Sequence, residues 1–363
     1  MNLIYALALQ NAPKIGDITA KKLIQYCGSP EAVFKEKRSN LLKIDGVGIS
    51  TLEGLLSAAL LKNAEEELTF IERKGIVCHY FQDDGYPYRL KHCIDGPLVL
   101  FQKGNINIKD QHIISIVGTR KITSHGISFC EELVAQLSTY NPIIISGFAY
   151  GTDITAQKAA LQNNLQTIGC LAHGFDKIYP KAHKKYCADI ENNGGFFTDF
   201  WSTSEFDRKN FIKRNRIIAG LSEATIVIES AEKGGSLVTA DLATSYNREV
   251  FAVPGRSTDR QSIGCNNLIK KQQAHLLSTP LDVPYMLNWK INQRHQPVQK
   301  KLFVSLDKEE QKLYDYLANN GKELLDIIAL KCEMPTFTVA SMLLKMELKG
   351  VIKPLPGKFF EVV

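Results

Sequence analysis

Apolar residues in the central part of the chain alternate between short continuous runs and longer segments with helical spacing. Runs rich in β-branched residues cover 113–117, 142–146, 167–172, 195–200, 224–229 and 249–254. Segments such as ISFCEELVAQL and DITAQKAAL, with helical periodicity, lie between them. Near-continuous apolar strands that alternate with helices predict an α/β fold with a parallel sheet covered on both faces. Right-handed crossovers place the turns that follow the strands at one edge of this sheet.

The segments on either side of this region have different patterns. Residues 1–65 are helical in pattern, with turns at PKIGD and KIDGVGIS, whereas residues 66–288 contain the sheet, including a strand at PLVLF. Residues 289–304 carry basic side chains and no acidic ones, which predicts a linker. Residues 305–363 predict three helices and a hairpin that turns at Pro356-Gly357, a pattern typical of a winged helix.

Composition narrows the class of protein. A chain of 363 residues with 44% hydrophobic and 23% charged residues predicts a folded protein of several domains. The net charge of +6 permits an anionic partner. Eight cysteines show neither CxxC pairs nor zinc-site spacing, so we expect free thiols in the cytoplasm and no metal. The first residues predict a helix of the fold rather than a signal peptide, and no apolar run is long enough to span a membrane.

Four of the predicted turns share a composition of glycines and hydroxyl residues. They are VGTRK (117–121), SGFAYGTD (146–153), the turn that begins HGFDKIYPK (173–181) and SAEKGGSLVTA (230–240). Glycine allows the backbone to approach a ligand closely, and each turn leads into a helix whose first N–H groups attract anions. Hydroxyl groups of Thr119, Thr152, Ser236 and Thr239 add donors. The four turns together predict a cleft lined with phosphate-binding groups.

Motifs of the common nucleotide-binding proteins and enzymes are not matched. No GxGxxG follows the first strand of the parallel sheet, the second strand ends in Ser146-Gly147 rather than an acid, and GxxxxGK[ST], GxSxG and HExxH do not occur. The sequence therefore predicts phosphate binding without a bound cofactor and without a catalytic group.

Basic and aromatic residues accompany the predicted turns. Arg120 and Lys121 leave the first turn, and four lysines follow the third strand, at 177, 181, 184 and 185. Residues 208–220, RKNFIKRNRIIAG, place five cations around Phe211, with Ile212, Ile217 and Ile218 expected to face the core. Cations for phosphates and flat rings for bases are what a single strand of nucleic acid requires. A solvated charged helix face is the alternative interpretation of this segment.

Nine motifs in order make the chain resemble the DNA-processing protein A family, also called Smf. They are YPYRL, GPLVLFQKGN, VGTRKIT, SGFAYGTD, GFDKIYP, KRNRIIAGLS, GGSLVTA, VFAVPG and SIGCNNLI, spread over residues 84–288. The resemblance implies an extended Rossmann-like domain that binds single-stranded DNA and forms homodimers. It further implies a role in natural transformation, in which the protein protects incoming strands and loads the recombinase RecA onto them.

The resemblance and the glycine-rich turns together define a predicted contact set for single-stranded DNA. By the resemblance, Phe211 stacks on a base and Arg120, Lys181 and Arg214 meet phosphates. The complete set is Gly118, Thr119, Arg120, Gly147, Gly151, Lys181, Phe211, Arg214, Asn215, Arg216, Gly235 and Ser236.

Alternatives remain for the function and for both flanking regions. A nucleotide-cleaving hydrolase of the phosphoribohydrolase type uses a related fold, although its PGGxGTxxE pattern is not matched here. A nucleotide-sensing module is a third interpretation. Gly46 and Gly48 form a helix-hairpin-helix turn that either contacts phosphates or belongs to a pair of packing helices. The third helix of the winged helix has few cations before Lys345. A role in contacting another protein therefore fits this domain as well as a role in reading the major groove of DNA.

Overall fold

The computed structural model describes residues 3–57, 59–290, 306–355 and 357–362. Contacts divide the chain into two compact units, residues 1–292 and residues 293–363. The predicted linker at 289–304 lies outside the described residues from position 291 onwards, and so does Pro356 of the predicted hairpin turn.

The first unit is built on one nine-stranded sheet. Its strands are β1 (Val77–Tyr80), β2 (Val99–Gly104), β3 (Ile113–Val117), β4 (Ile143–Ser146), β5 (Thr167–Cys170), β6 (Gly194–Thr198), β7 (Ala224–Val227), β8 (Glu249–Ala252) and β9 (His275–Leu276). The strand order is β1-β2-β6-β5-β4-β3-β7-β8-β9. Strands β3 to β9 pair in parallel, and β1 and β2 add an antiparallel edge next to β6.

Helices connect the parallel strands and cover both faces. They are α8 (Ser124–Leu137), α9 (Thr152–Gln162), α10 (Cys187–Asn192), α11 (Arg208–Leu221), α12 (Gly235–Ser245), α13 (Ile263–Lys270) and, after β9, α14 (Asp282–Met286). Ile114 and Ile116 of β3 pack with α8 and α9, whereas Ile113 and Val117 of the same strand pack with α11 and α12. Alternate side chains of a strand point to opposite faces, so a fully apolar strand requires this double cover.

Seven further helices precede or flank the first strands. They are α1 (Leu3–Gln10), α2 (Asp17–Cys27), α3 (Pro30–Lys35), α4 (Arg38–Leu41), α5 (Ile49–Glu53), α6 (Ala59–Lys74) and α7 (Tyr88–Lys91). Leu7 and Leu9 of α1 belong to the same buried cluster as Val99 and Phe101 of β2 and Trp201 after β6. The N-terminal helices therefore share a hydrophobic core with one edge of the sheet.

The second unit consists of three helices and a three-stranded sheet. They are α15 (Lys308–Asn320), β10 (Glu323–Leu324), α16 (Leu325–Lys331), α17 (Thr336–Leu348), β11 (Ile352–Leu355) and β12 (Phe359–Val362), with sheet order β10-β12-β11. Asp307 and Glu310 form a capping box that begins α15. The predicted hairpin is confirmed by the antiparallel pairing of β11 with β12.

The predicted fold class is confirmed: in sequence order the chain contains an N-terminal group of helices, a mostly parallel Rossmann-like sheet and a C-terminal winged helix. Helix α6 continues through residue 65 to Lys74, so the first predicted domain boundary falls inside a helix. The four-part division remains a proposal, and we place its first boundary at the end of α6.

Three further properties concern the described part of the chain. No single helix there is long and apolar enough to cross a membrane, although α16 and α17, bent by 110°, meet that test as a pair. Those residues also contain no group of three or more His, Cys, Asp or Glu side chains placed to hold a metal ion. All eight cysteines are free thiols.

Candidate nucleic-acid interface

A cleft of about 670 Å³ opens at the carboxyl ends of β3 and β7. From β3 the chain builds outwards through β4, β5 and β6 on one side, and β7, β8 and β9 then extend the sheet on the other. Neighbouring helices therefore leave in opposite directions between β3 and β7, which creates a crevice at this switch point. The turn at 117–120 and the segment 230–239 line it, together with one face of α11.

Arg214 forms part of the cleft floor. Its side chain is only 4% exposed, and Nη1 donates hydrogen bonds to the carbonyl oxygens of Gly147 at 2.6 Å and Cys170 at 2.5 Å. The guanidinium thus bridges the carboxyl ends of β4 and β5. Its Nε has no hydrogen-bond partner among the described residues. Burial lowers the pKa of Arg214, and nearby Asp153 opposes that shift.

Asp153 is the one carboxylate among the described residues that line the cleft. It is 7% exposed, and its Oδ2 accepts a hydrogen bond from the N–H of Ala149 at 3.3 Å. Burial raises the pKa of Asp153, while Arg214 acts in the opposite direction. The carboxylate is therefore held within the protein framework rather than presented to the open part of the cleft.

The first turn, Gly118–Arg120, is held from below by two elements. The N–H of Thr119 donates to the carbonyl oxygen of Glu229 at 2.8 Å, and the Thr152 hydroxyl donates to the Thr119 carbonyl at 3.2 Å. A Cβ at Gly118 would lie 2.4 Å from Thr152 Oγ1 and 2.9 Å from the Glu229 carbonyl, so only glycine fits. Arg120 is exposed, and its Cζ lies 5.1 Å from the centroid of the Phe211 ring.

The ends of the helices differ from the sequence expectation of four open N-termini. The Glu229 carboxylate accepts hydrogen bonds from Thr123 at the start of α8, so that end is already occupied by an anionic group. At α9, the N–H groups of Thr152 and Ile154 bond to the carbonyls of Thr119 and Ala149. The third turn leads into a 3₁₀ helix, Lys181–Tyr186, instead of an α-helix.

Helix α12 keeps the open end that the sequence predicted. Gly234 is its N-cap, and within the described chain no side chain caps it. Gly234, Gly235 and Ser236 all line the cleft, and the Ser236 hydroxyl donates to Ser230 Oγ at 3.0 Å. Asn215 fixes this end from the opposite wall, because its Nδ2 donates to the Gly235 carbonyl at 3.2 Å. Free N–H groups and the helix dipole make this the anion-attracting point of the cleft.

Three aromatic rings, Tyr179, Phe206 and Phe211, form one wall of the cleft, which we call the aromatic wall. Their ring centroids are 4.8 Å (Tyr179–Phe206), 5.6 Å (Phe206–Phe211) and 5.8 Å (Tyr179–Phe211) apart, in tilted and edge-to-face arrangements. Phe211 was predicted from the sequence, whereas Tyr179 and Phe206 were missed. Phe206 lies outside the motifs that indicated the family. Tyr179 belongs to the motif GFDKIYP, in which only the glycine and the lysine were interpreted as phosphate-binding groups.

Arg216 does not line the cleft, in contrast to its place in the predicted contact set. It is 5% exposed and forms ion pairs with Asp199 after β6 and with Asp17 of α2. Burial alone would lower the pKa of Arg216, but these two carboxylates raise it. Helix geometry explains the result, because residues two apart on an α-helix point about 200° away from each other. Arg216 therefore ties α11 to the N-terminal helices.

Other predicted positions lie at the border of the cleft. Gly151 has φ +75° and packs under the first turn, where a Cβ would be 2.3 Å from the Thr119 carbonyl. Gly147 faces the Arg214 guanidinium. Lys181 is exposed two residues after Tyr179 but is not among the lining residues. Ile212, expected in the core, is 54% exposed and lines the cleft.

Two exposed cations of the cleft are outside the predicted contact set, although Arg208 is one of the five cations noted around Phe211 in the sequence. Arg208 begins α11, and Lys233 precedes the open end of α12; both line the cleft with Arg120. The lysine of the SAEKGGS turn was the available signal for Lys233. Positive charge therefore surrounds the opening from three different elements.

The predicted hairpin glycines Gly46 and Gly48 lie among the N-terminal helices and do not line the cleft. Gly46 has φ +81° in an exposed turn, and Gly48 is the N-cap of α5. The helix-hairpin-helix assignment and phosphate contact at these glycines both remain predictions.

A second cleft, of about 940 Å³, opens at the amino ends of β3, β7 and β8. Glu223 lies at its centre, where it pairs with Arg89 at 3.1 Å and with His112 at 3.2 Å. Ligands of open α/β sheets bind at the carboxyl ends of the strands. The first cleft, although smaller, is therefore the candidate interface.

Fold and cleft together define the class: a Rossmann-like α/β protein whose sheet switch point carries an open helix end, exposed cations and an aromatic wall. Residues 77–288 match the family model for DNA recombination-mediator protein A, and residues 304–358 match the winged helix domain of the same family. The chain belongs to the DNA recombination-mediator protein A family.

Similar proteins are consistent with this membership. Protein Smf of Escherichia coli is 33% identical over 303 residues, which cover 82% of this chain and 80% of Smf. The crystal structure of DNA processing protein A from Streptococcus pneumoniae has a TM-score of 0.64 and 29% identity, and covers 79% of this chain and 97% of that one. A structure of the Helicobacter pylori protein, described for its single-stranded DNA binding mode, has a TM-score of 0.53 and 27% identity, covering 59% and 95%.

Proposed function

We propose that the first cleft binds single-stranded DNA, with phosphates at the open end of α12 and the surrounding cations, and with bases on the aromatic wall. The observation that carries the proposal is the convergence of Gly235, Ser236 and Arg120 with Phe211 in one cleft. Phosphate donors and flat rings in one cleft match the two chemical parts of a nucleotide strand. The Helicobacter pylori relative, described as binding single-stranded DNA, supports this assignment.

Arg214 contributes to this site as a buried cation rather than as an exposed phosphate contact. Its Nη1 is engaged with two carbonyls, while Nε has no partner within the described chain. The buried charge strengthens the positive potential of the floor because few water molecules screen it. We leave Arg216 out of the proposed contact set because its guanidinium is fully engaged outside the cleft.

The proposed activity is binding without catalysis. Asp153, the lining carboxylate in the described cleft, is buried and hydrogen-bonded to the backbone. A general acid or base must reach the reacting atoms of a bound ligand. The arrangement around Asp153 supports a framework role more than a role in nucleotide cleavage.

The finer role follows from the family resemblance. We propose that the protein acts in natural transformation in the cytoplasm, protects incoming strands and loads RecA onto them as a homodimer. Exposed apolar side chains of β9 and α14, namely Leu276, Leu281, Tyr285 and Met286, support a self-association surface. Light scattering of the protein and of Tyr285→Asp tests the dimer, and RecA strand exchange with and without the protein tests loading.

Fluorescence anisotropy with oligonucleotides of increasing length, at several salt concentrations, tests the binding proposal. A polymer-binding cleft predicts affinity that rises with strand length and falls steeply with salt, because each bound phosphate releases counterions. A mononucleotide as good as a long strand, or release of a free base from it, would instead favour the phosphoribohydrolase alternative.

A further inference from the structure

Phe206 is the most exposed ring of the aromatic wall. It is 49% exposed, Tyr179 is 38% exposed, and Phe211 is half-buried. The Arg120 guanidinium also lies over the Phe211 ring, so part of that ring is already in contact with a cation. The most exposed aromatic side chains in the cleft are therefore Phe206 and Tyr179, neither of which is in the predicted contact set.

We propose that Phe206, supported by Tyr179, binds a second nucleobase next to the one at Phe211 and thereby determines the preference for single strands. This inference rests on the proposed function. Phe206 and Phe211 lie 5.6 Å apart on two consecutive parts of the chain, the segment before α11 and α11 itself. Rings at this spacing form one continuous apolar surface, and neighbouring bases of a strand stack on such surfaces regardless of their identity.

The open end of α12 lies in the same cleft as the rings, and this accounts for the proposed exclusion of a duplex. Phosphates are attracted to Gly235 and Ser236 at that end, and the rings line the same cleft of about 670 Å³. A strand reaches the α12 end and the rings at once only if its bases are turned away from a complementary strand. The cations alone attract any nucleic acid, so the rings provide the discrimination.

Tyr179 holds Phe206 in place. The two centroids are 4.8 Å apart with the rings tilted by 58°. Tyr179 is itself positioned by the third turn, because its N–H donates to Nε2 of the buried His173 at 3.2 Å. An exposed phenylalanine that is held by a neighbouring ring loses little conformational freedom when a base stacks on it.

The experiment compares a thymidine oligomer of about 20 nucleotides with an abasic oligomer of equal length and with the duplex, using the full chain. Phe206→Ala and Phe206→Leu should weaken binding of the thymidine oligomer about 5- to 150-fold. Binding of the abasic oligomer should not change, so the single-strand to duplex affinity ratio should fall. Phe206→Trp should retain affinity, and its fluorescence should be quenched by the thymidine oligomer alone.

Phe337→Ala is the matched control, since Phe337 is 79% exposed in the second unit. Affinity retained in Phe206→Ala, equal rescue by Leu and Trp, or an equal loss for the abasic oligomer would each overturn the inference while the proposed function stands. Length-independent binding by the unmodified protein would instead overturn the proposed function, and the inference with it. Circular dichroism confirms that each variant is folded.

Discussion

The Glu229 carboxylate fills the N-terminal end of α8, where its two oxygens accept hydrogen bonds from the Thr123 N–H at 2.9 Å and the Thr123 hydroxyl at 2.5 Å. The same residue accepts the Thr119 N–H with its carbonyl oxygen. One buried acidic residue therefore neutralises the positive N-terminal end of α8 and supports the turn that carries Arg120. This leaves the end of α12 as the point where an external anion is attracted.

Glu229→Gln should lower the free energy of unfolding by about 1–3 kcal/mol. Glu229 is 6% exposed, and the variant replaces its charge-assisted hydrogen bonds with weaker neutral ones. The glutamine NH₂ group would also face one of the two Thr123 donors, the N–H or the hydroxyl. Urea denaturation measures the change. Glu131→Gln, at an exposed position of α8, is the control and should differ from the unmodified protein by less than about 0.5 kcal/mol. Equal stability of both variants would contradict the assigned role.

Arg120→Ala should weaken binding of all DNA sequences alike and reduce the slope of affinity against salt by about one. The reason is that Arg120 supplies one exposed charge at the cleft, which as a phosphate contact would carry no sequence information. Arg73→Ala is a close control, because Arg73 is also exposed and lies 5.8 Å from the centroid of Phe70, among the N-terminal helices. An unchanged slope in Arg120→Ala would remove this residue from the site.

Gly147→Ala should disturb the floor of the cleft. A Cβ at this position would lie 2.3 Å from Nη1 of Arg214, so the guanidinium must leave its two carbonyl partners or the backbone must shift. We expect a loss of about 1–3 kcal/mol in stability together with weaker DNA binding. At Gly235 a Cβ meets no atom within 4 Å, so Gly235→Ala should fold with unchanged stability. Similar melting of the two variants would argue against the Arg214 bridge.

His183 should make stability fall as the medium becomes acidic. Its ring is 5% exposed and Nδ1 lies 3.0 Å from the Phe148 carbonyl, and burial lowers its pKa from the ordinary 6.5. Below pH 6.5 the unfolded chain therefore takes up a proton that the folded chain resists, so the free energy of unfolding decreases with falling pH.

The corresponding measurement is denaturation of the unmodified protein and of His183→Gln between about pH 7.5 and 5. The variant should show the shallower decline, by up to about 1.4 kcal/mol per pH unit. Asp153 and Lys185 act on His183 with opposite signs, and both remain in the variant. Parallel curves for the two proteins would show that His183 does not contribute.

The layout of the sheet was predictable because strand and helix periods differ and because each parallel strand is buried on both faces. The α11 segment shows a limit of prediction from the sequence. The family resemblance placed Arg214 and Arg216 in one contact set, yet only Arg214 belongs to the helix face of Phe211 and Ile218. Helical periodicity applied within RKNFIKRNRIIAG would have separated them, because it assigns positions 211, 214 and 218 to one side.

Contacts between distant parts of the chain were not predictable. Glu229 is separated from Thr123 by 106 positions, and no local pattern indicates that its carboxylate fills a helix end. Phe206 illustrates the same limit, since a single aromatic residue in a polar segment gains meaning only when Tyr179 and Phe211 lie beside it.

The hydrophobic cluster that joins Leu7 to Val99 and Trp201 has a practical consequence. A shortened protein that begins at β1 would expose the hydrophobic side of the sheet that the N-terminal helices cover, and exposed apolar surfaces promote aggregation. Truncation is therefore a poor way to isolate the part that carries the cleft, and point substitutions in the intact polypeptide are the better tool.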